Sequence, residues 1–214
     1  KLNEIKLTKM LEKETAILAL KNHELDAYTE MNPEGIKQLQ DSDDFDIHTI
    51  PSSRVYSLYM NTEKLSDISF RKAIAKAIDK ESIAKYLLDG TMTATDGPLT
   101  SDSEYALPSS NVTSYNEAEA KQILESAGYV DTDGDGYVEK DGQNISITIA
   151  YYKRLSQEAI ATELQSALKK IGIQSELQLH EGTKYLFNKE YDLGFYSMVT
   201  MPTGDPAYYL NAFL

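Results

Sequence analysis

Polar and apolar residues change their spacing several times along the chain, and each spacing predicts an element. In LNEIKLTKM, Ile5 and Leu7 alternate with polar neighbours, as on a half-buried strand. EKETAILALKNHELDAY follows, with Ala16, Ile17 and Leu20 on one side of a short helix. RVYSLYMN alternates again in β-forming residues, so Val55 to Met60 is expected to be a strand. The longest helical stripe is Phe70, Ala73, Ile74, Ala77 and Ile78. Asp79, with Glu81 just after it, resembles an N-cap with an acidic first turn. That divides the stretch into two helices, the second ending at Gly90. Residues 91–115 hold two prolines and many Ser and Thr, without a period, and predict a long irregular loop.

Boundaries are sharper in the second half. Asn116 is a good N-cap, with Glu119 at the reciprocal capping-box position and Gly128 as the left-handed stop. Ile145, Ile147, Ile149 and Tyr151 alternate on a strand. Ile160, Leu164, Ala167, Leu168 and Ile171 then form a helical stripe between Ser156 as cap and Gly172 as stop. IQSELQL and YDLGFYSMV read as two further strands. Strands alternating with helices imply parallel pairing through right-handed crossovers, hence an α/β fold. No internal repeat or low-complexity tract is present.

Charge and composition then exclude whole classes of function. Among 214 residues, 21 basic side chains stand against 34 acidic ones, a formal charge of −13. Such a surface repels phosphate backbones, so no nucleic-acid partner is expected. An anionic membrane surface is disfavoured too, except through an attached anchor. There is no cysteine, which rules out disulfides and thiolate metal sites. No apolar run approaches the roughly 20 residues of a membrane-spanning helix. Both ends, KLNEIKL and NAFL, read as cut, so the lack of a signal peptide carries no weight. His23, His48 and His180 are far apart in sequence and read as ordinary surface histidines, so no catalytic triad can be assembled and an enzyme is not expected. No Gly-x-x-x-x-Gly-Lys phosphate loop occurs, which excludes an ATPase.

DTDGDGYVEKDG, from Asp131 to Gly142, imitates the first half of a calcium loop. Asp131, Asp133 and Asp135 supply oxygens at positions 1, 3 and 5, with Gly136 at position 6. Position 12 is Gly142 where a bidentate glutamate is needed, and a strand follows where a helix should. The residues therefore read first as a polar turn using positive-φ glycines. A weak structural Ca2+ site on the three aspartates is the alternative, and a calcium sensor is excluded by the missing glutamate.

That context carries a resemblance. YNEAEAKQILESAGYVDTDGDGYVEKDGQNISITIAYY, IATELQSALKKIGI, YDLGFYSMVTMPTGDPAYYLNAFL, LSDISFRKAIAKAIDKESIAKYLLDG and ALKNHELDAY occur in an order that closely resembles the peptide- and nickel-type (family 5) solute-binding proteins of bacterial ABC importers. Each motif is loose alone; five in order cover nearly the whole chain. The resemblance implies a periplasmic-binding-protein-like clamshell lobe of type II, with a mixed, mainly parallel sheet flanked by helices. It implies that residues 1–62 are a strand-helix-strand segment near the hinge and 63–214 most of the second lobe, acting as one α/β unit with the first lobe absent. It implies an extracytoplasmic protein, either periplasmic or a surface lipoprotein held by an upstream anchor, monomeric, that binds a peptide or nickel chelate and delivers it to the permease without a required cofactor. A calcium-stabilised adhesion or sensory module without transport is the competing class.

Two segments are candidates for the cleft, because clefts in α/β folds lie beyond strand carboxyl ends. Tyr152 and Arg154 leave a strand just before a helix, and Arg154 is suited to bidentate pairing with a ligand carboxylate. Lys153 and Arg154 also read as a solvated basic pair. The second segment follows the last strand, where Tyr196, Thr200, Met201 and Thr203 are expected to line the cleft. Peptide binders of this family often place an acidic residue before Asp-Pro, whereas Pro202 stands three residues ahead of Asp205 here, closer to the nickel-type pattern. Asp205 and Pro206 read as the cap and start of a helix.

Overall fold

The computed structural model describes residues 2–10, 12–29, 31–106 and 114–213. The chain separates into two compact units, Lys1–Ile50 and Pro51–Leu214.

In the first unit, α1 (Lys13–Lys21) buries Ala16, Ile17, Ala19 and Leu20. A second helix, α2 (Pro33–Leu39), starts where Asn32 accepts a hydrogen bond from the Gly35 amide at 3.0 Å and Pro33 occupies the first turn. Ile17, Leu20 and Leu39 form a small core, with Leu25, Tyr28, Met31 and Phe45 packed against it. The strand expected around Ile5 and Leu7 is not formed. Those side chains are 72% and 93% exposed, and the described residues of this unit offer no strand to pair with. Alternation without a partner ladder leaves the backbone to water.

The second unit is built on a four-stranded sheet of β1 (Arg54–Met60), β4 (Ser146–Tyr152), β5 (Gln174–His180) and β6 (Leu193–Val199), in the order β1-β6-β4-β5. β4 runs parallel to β5 and β6, as the strand-helix alternation requires, and only β1 enters antiparallel, against β6. A hairpin of β2 (Glu139–Lys140) and β3 (Gln143–Asn144) precedes β4.

One face of the sheet is covered by helices. α3 (Ile68–Ala77), α5 (Glu117–Ser126) and α6 (Gln157–Lys170) contribute Phe70, Ile74, Leu124, Ile160, Leu164 and Leu168 to one core with Ile147 and Ile149 of β4 and Leu193 and Phe195 of β6. The expected break after α3 is present: Asp79 accepts from the Ser82 amide at 3.0 Å. α4 (Lys80–Ser82) then widens into a π-helical turn at Ile83–Leu87, and Gly90 follows at φ 69°. Toward the other face, Leu186 of α7 (Lys184–Phe187) closes on Gly194 of β6, and Tyr209 of α8 (Ala207–Phe213) brings its hydroxyl to 3.5 Å from that of Tyr59 on β1. The expected loop at 91–115 has no helix or strand through 106, and its residues 107–113 lie outside the described ones.

Two caps differ from expectation. Asn116 does cap α5, accepting from the Glu119 amide at 3.0 Å, but the Glu119 carboxylate turns to Lys76 at 3.0 Å instead of closing the box. Ser156 makes no capping bond, because its backbone is left-handed, at φ 56°.

Candidate functional site

Parallel strands deliver their carboxyl ends to one edge of the sheet, so whatever leaves β4, β5 and β6 gathers there. Tyr152 and His180 are register partners at the ends of β4 and β5. β6 ends at Val199, paired with Arg54 at the start of the antiparallel β1. The same edge therefore also receives Ser53, Arg54 and Tyr56, which the sequence reading left out.

Arg154 and Met201 meet this edge through β1. The Tyr56 hydroxyl donates to the Leu155 carbonyl at 3.2 Å, and the Arg154 side chain hydrogen-bonds it. Burial pushes the Tyr56 phenol above its ordinary range, while the positive fields of Arg154 and Arg54 oppose that rise. Ser53 Oγ donates to the Met201 carbonyl at 3.0 Å, and the Thr200 amide donates to the Ser53 carbonyl at 2.8 Å. Ser103, from the irregular segment, reaches Met201 Sδ at 3.6 Å. Arg154 thus touches this phenol, and the charge of Arg54 also reaches it, on a chain that is strongly acidic overall.

At the same edge, on the sheet face opposite Tyr56, lies a layer of tyrosines. The rings of Tyr152 and Tyr196 are 6.3 Å apart, as are those of Tyr196 and Tyr59. The Tyr152 and Ser197 hydroxyls are 3.2 Å apart. Tyr185 is fully buried; its hydroxyl donates to the Phe195 carbonyl, and His180 stacks on its ring at 4.5 Å. Burial raises the phenols of Tyr59, Tyr185 and Tyr196 above their ordinary value.

The expected residues divide. Tyr152, Arg154 and Tyr196 come together at this edge, half-buried, and Met201 joins them through Ser53. Thr203 is exposed on the following turn. Thr200 departs from the cleft-lining role: it is 0% exposed and its hydroxyl donates to Ser53 at 3.1 Å, so it positions the turn instead. Asp205 accepts from the Ala207 amide at 2.8 Å, the cap its sequence context predicts. His180, read as an ordinary surface histidine, instead has its Nε2 buried. Gln157, overlooked in the sequence, is fully buried at the start of α6. Its Oε1 accepts from the Tyr152 amide at 3.4 Å, and its Nε2 finds no acceptor among the described residues. A glutamine just past a presumed serine cap was its only signal.

The aspartate loop lies elsewhere. It leads through β2 and β3 into the amino end of β4, while the tyrosine and arginine corner is at the carboxyl end, about 20 Å along a seven-residue strand.

Comparison with known proteins fits this architecture. AppA of Bacillus subtilis, an oligopeptide-binding protein, is 37% identical over 125 residues, 56% of this chain and 22% of its own length. Its structure with a nonapeptide matches at a TM-score of 0.74 and 27% identity, covering 88% of this chain and 40% of that one. The nickel-binding protein NikA of Staphylococcus aureus is 25% identical over 214 residues, 99% of this chain and 42% of its own length. NikZ of Campylobacter jejuni, solved with Ni(L-His), matches at a TM-score of 0.75 and 26% identity, covering 92% of this chain and 39% of that one. The chain therefore spans less than half the length of these relatives. Their likeness makes the fold type II periplasmic-binding-protein-like, with the mixed, mostly parallel sheet described above. The model of the family described as "Bacterial extracellular solute-binding proteins, family 5 Middle" matches residues 1–214, and the chain belongs to that family.

Proposed function

We propose that this chain is part of the extracytoplasmic solute-binding subunit of a bacterial ABC importer, and that its Arg54–Tyr56–Arg154 corner receives a carboxylate of the solute. The observation that carries this reading is Arg154, hydrogen-bonded to the Tyr56 hydroxyl at the carboxyl edge of a parallel sheet, with Arg54 near enough for its charge to act on the same phenol. Guanidinium matches a carboxylate in two parallel hydrogen bonds, and partial burial strengthens them. Tyr152 and Tyr196 offer flat apolar area with hydroxyl handles at the same edge, Tyr196 on the sheet face opposite Tyr56. The amide of Gln157 adds a buried donor awaiting an acceptor. Met201 and Thr203 complete the rim. No reaction is assigned: binding closes the two lobes of the whole protein, and the permease takes solute from the closed form.

Peptide is the first reading for the solute, supported by the kinship with AppA, an oligopeptide binder. A nickel chelate is the second, supported by the turn at Pro202 and by the match to NikA along 99% of the chain. A chelate built on an amino acid carries the same carboxylate and suits the same corner.

Native mass spectrometry of the full-length protein, purified from its own cells, separates the two. A peptide mass is expected, while a nickel isotope pattern turns the assignment to the chelate. The solute so identified is then titrated into Arg154→Gln. Loss of a charge-assisted pair weakens binding about tenfold or more. Unchanged affinity would remove Arg154 from the site.

A further inference from the structure

Asp131, Asp133, Asp135 and Glu139 each bring a carboxylate oxygen within 4.8 Å of the others. The first three are exposed, and an exposed acidic cluster alone means little. Glu139 is different. It is 6% exposed, and it sits on β2, bridged antiparallel to Val130. Its Oε2 accepts from the Thr132 amide at 2.6 Å and the Thr132 hydroxyl at 2.5 Å. Its Oε1 is buried and accepts nothing among the described residues. A buried carboxylate oxygen without a donor is costly, and three like charges nearby raise the cost. Among the described residues, no Lys, Arg or His side chain comes within 4.0 Å of these four carboxylates to offset it.

We infer that Asp131, Asp133, Asp135 and Glu139 form a calcium site in which the hairpin strand β2 supplies the fourth carboxylate. In a helix-loop-helix site that ligand comes from position 12, where this chain has Gly142. Here the Val130–Glu139 bridge folds position 9 back against position 1, so the fold replaces what the linear spacing lacks. An all-oxygen, carboxylate-rich set excludes soft metals. A loop carrying Gly134 and Gly136 at φ 83° and 92° adapts to the longer, variable bonds of Ca2+ more readily than to the strict octahedron of Mg2+. The ion's role is structural. The Val138 amide already donates to the Gly172 carbonyl at 2.8 Å, so a filled site fastens the hairpin to the end of α6. The inference does not depend on which solute the opposite edge takes.

The full chain, stripped with EDTA, is titrated with CaCl2, and binding is read by displacement of Tb3+ whose emission is excited through Tyr137. One ion per chain is expected, with a dissociation constant of ~0.1 mM. At about 1 mM Ca2+ the melting temperature rises by about 3–6 °C, and Mg2+ at that concentration raises it less. Glu139→Gln keeps an acceptor for Thr132 and weakens Ca2+ binding about tenfold or more. Asp133→Asn, on an exposed side chain, does the same without threatening the core. A melting temperature indifferent to both Ca2+ and EDTA, an equal response to Mg2+, or unchanged Ca2+ affinity in both variants would overturn the site.

Discussion

Gly194 sits where a side chain has no room. A methyl group there would lie 2.8 Å from Leu186 Cδ2 and 2.9 Å from a carbon of the Tyr191 ring. The glycine lets α7 and the tyrosine layer close onto β6, which carries Tyr196 to the site. Gly194→Ala is expected to cost about 1–3 kcal/mol through overpacking. At about 2–4 °C per kcal/mol, thermal melting should show a drop of several degrees, and an unshifted melting temperature would refute the close packing. The sequence marks this residue only as a glycine inside a strand, a general sign of close approach that does not say to what. Thr200 illustrates the converse. Its position after the strand pointed to the cleft, but burial follows from its bond to Ser53, almost 150 residues away in sequence. The place of Tyr152 and Arg154 at the end of β4 was legible because a strand end is a local property. Arg54 and Tyr56 were not, because only antiparallel pairing of β1 with β6 brings them to that edge.

Elements were read well where their causes are local. The stripe expected on α6, Ile160, Leu164, Ala167, Leu168 and Ile171, is buried throughout, and Gln157 and Ala161 are buried with it. Each buried isoleucine or leucine among them contributes about 1.5–3 kcal/mol, against about 1 kcal/mol for a typical hydrogen bond, so periodicity outweighs details of capping. The failures follow from the same comparison. The alternation of Ile5 and Leu7 buries nothing, and α2 and the β2–β3 hairpin are too short to show a period. Caps still contribute, and Asn116 is the one to test. Its side chain holds the Glu119 amide at 3.0 Å, and its own amide donates to the Lys76 carbonyl at 2.8 Å, joining α5 to the end of α3. Asn116→Ala should lower stability by about 0.5–1 kcal/mol, or about 1–4 °C of melting temperature, while Asn116→Asp retains the cap. Equal melting of both variants with the parent would show that α5 is held by packing alone.

At the scale of the molecule, tyrosine replaces tryptophan as the large aromatic, with 15 of one and none of the other. Several of these phenols share a fate. Burial raises Tyr56, Tyr59, Tyr151, Tyr185, Tyr191 and Tyr196 above the ordinary value of 10.0, and it raises Tyr129 to about 12, helped by the hydrogen bond its hydroxyl donates to Asp67 at 3.1 Å. Below pH ~10 the folded and unfolded chains both keep these protons, and the packing is fully available. Between pH ~10 and ~12 the unfolded chain releases them while the folded one retains them. The native state then binds more protons than the unfolded state, so stability falls as pH rises. More than one tyrosine takes part, so the slope should exceed that of a single group, about 1.4 kcal/mol per pH unit. Urea midpoints measured from pH 8 to 12, alongside tyrosinate absorbance, give the readout. The expected outcome is a block of phenols that ionises only as the chain unfolds, with the midpoint falling steeply above pH ~10. Tyrosines that all titrate reversibly near 10 in a chain still folded would show instead that the layer is open to water, and the site built upon it would lose its dry wall.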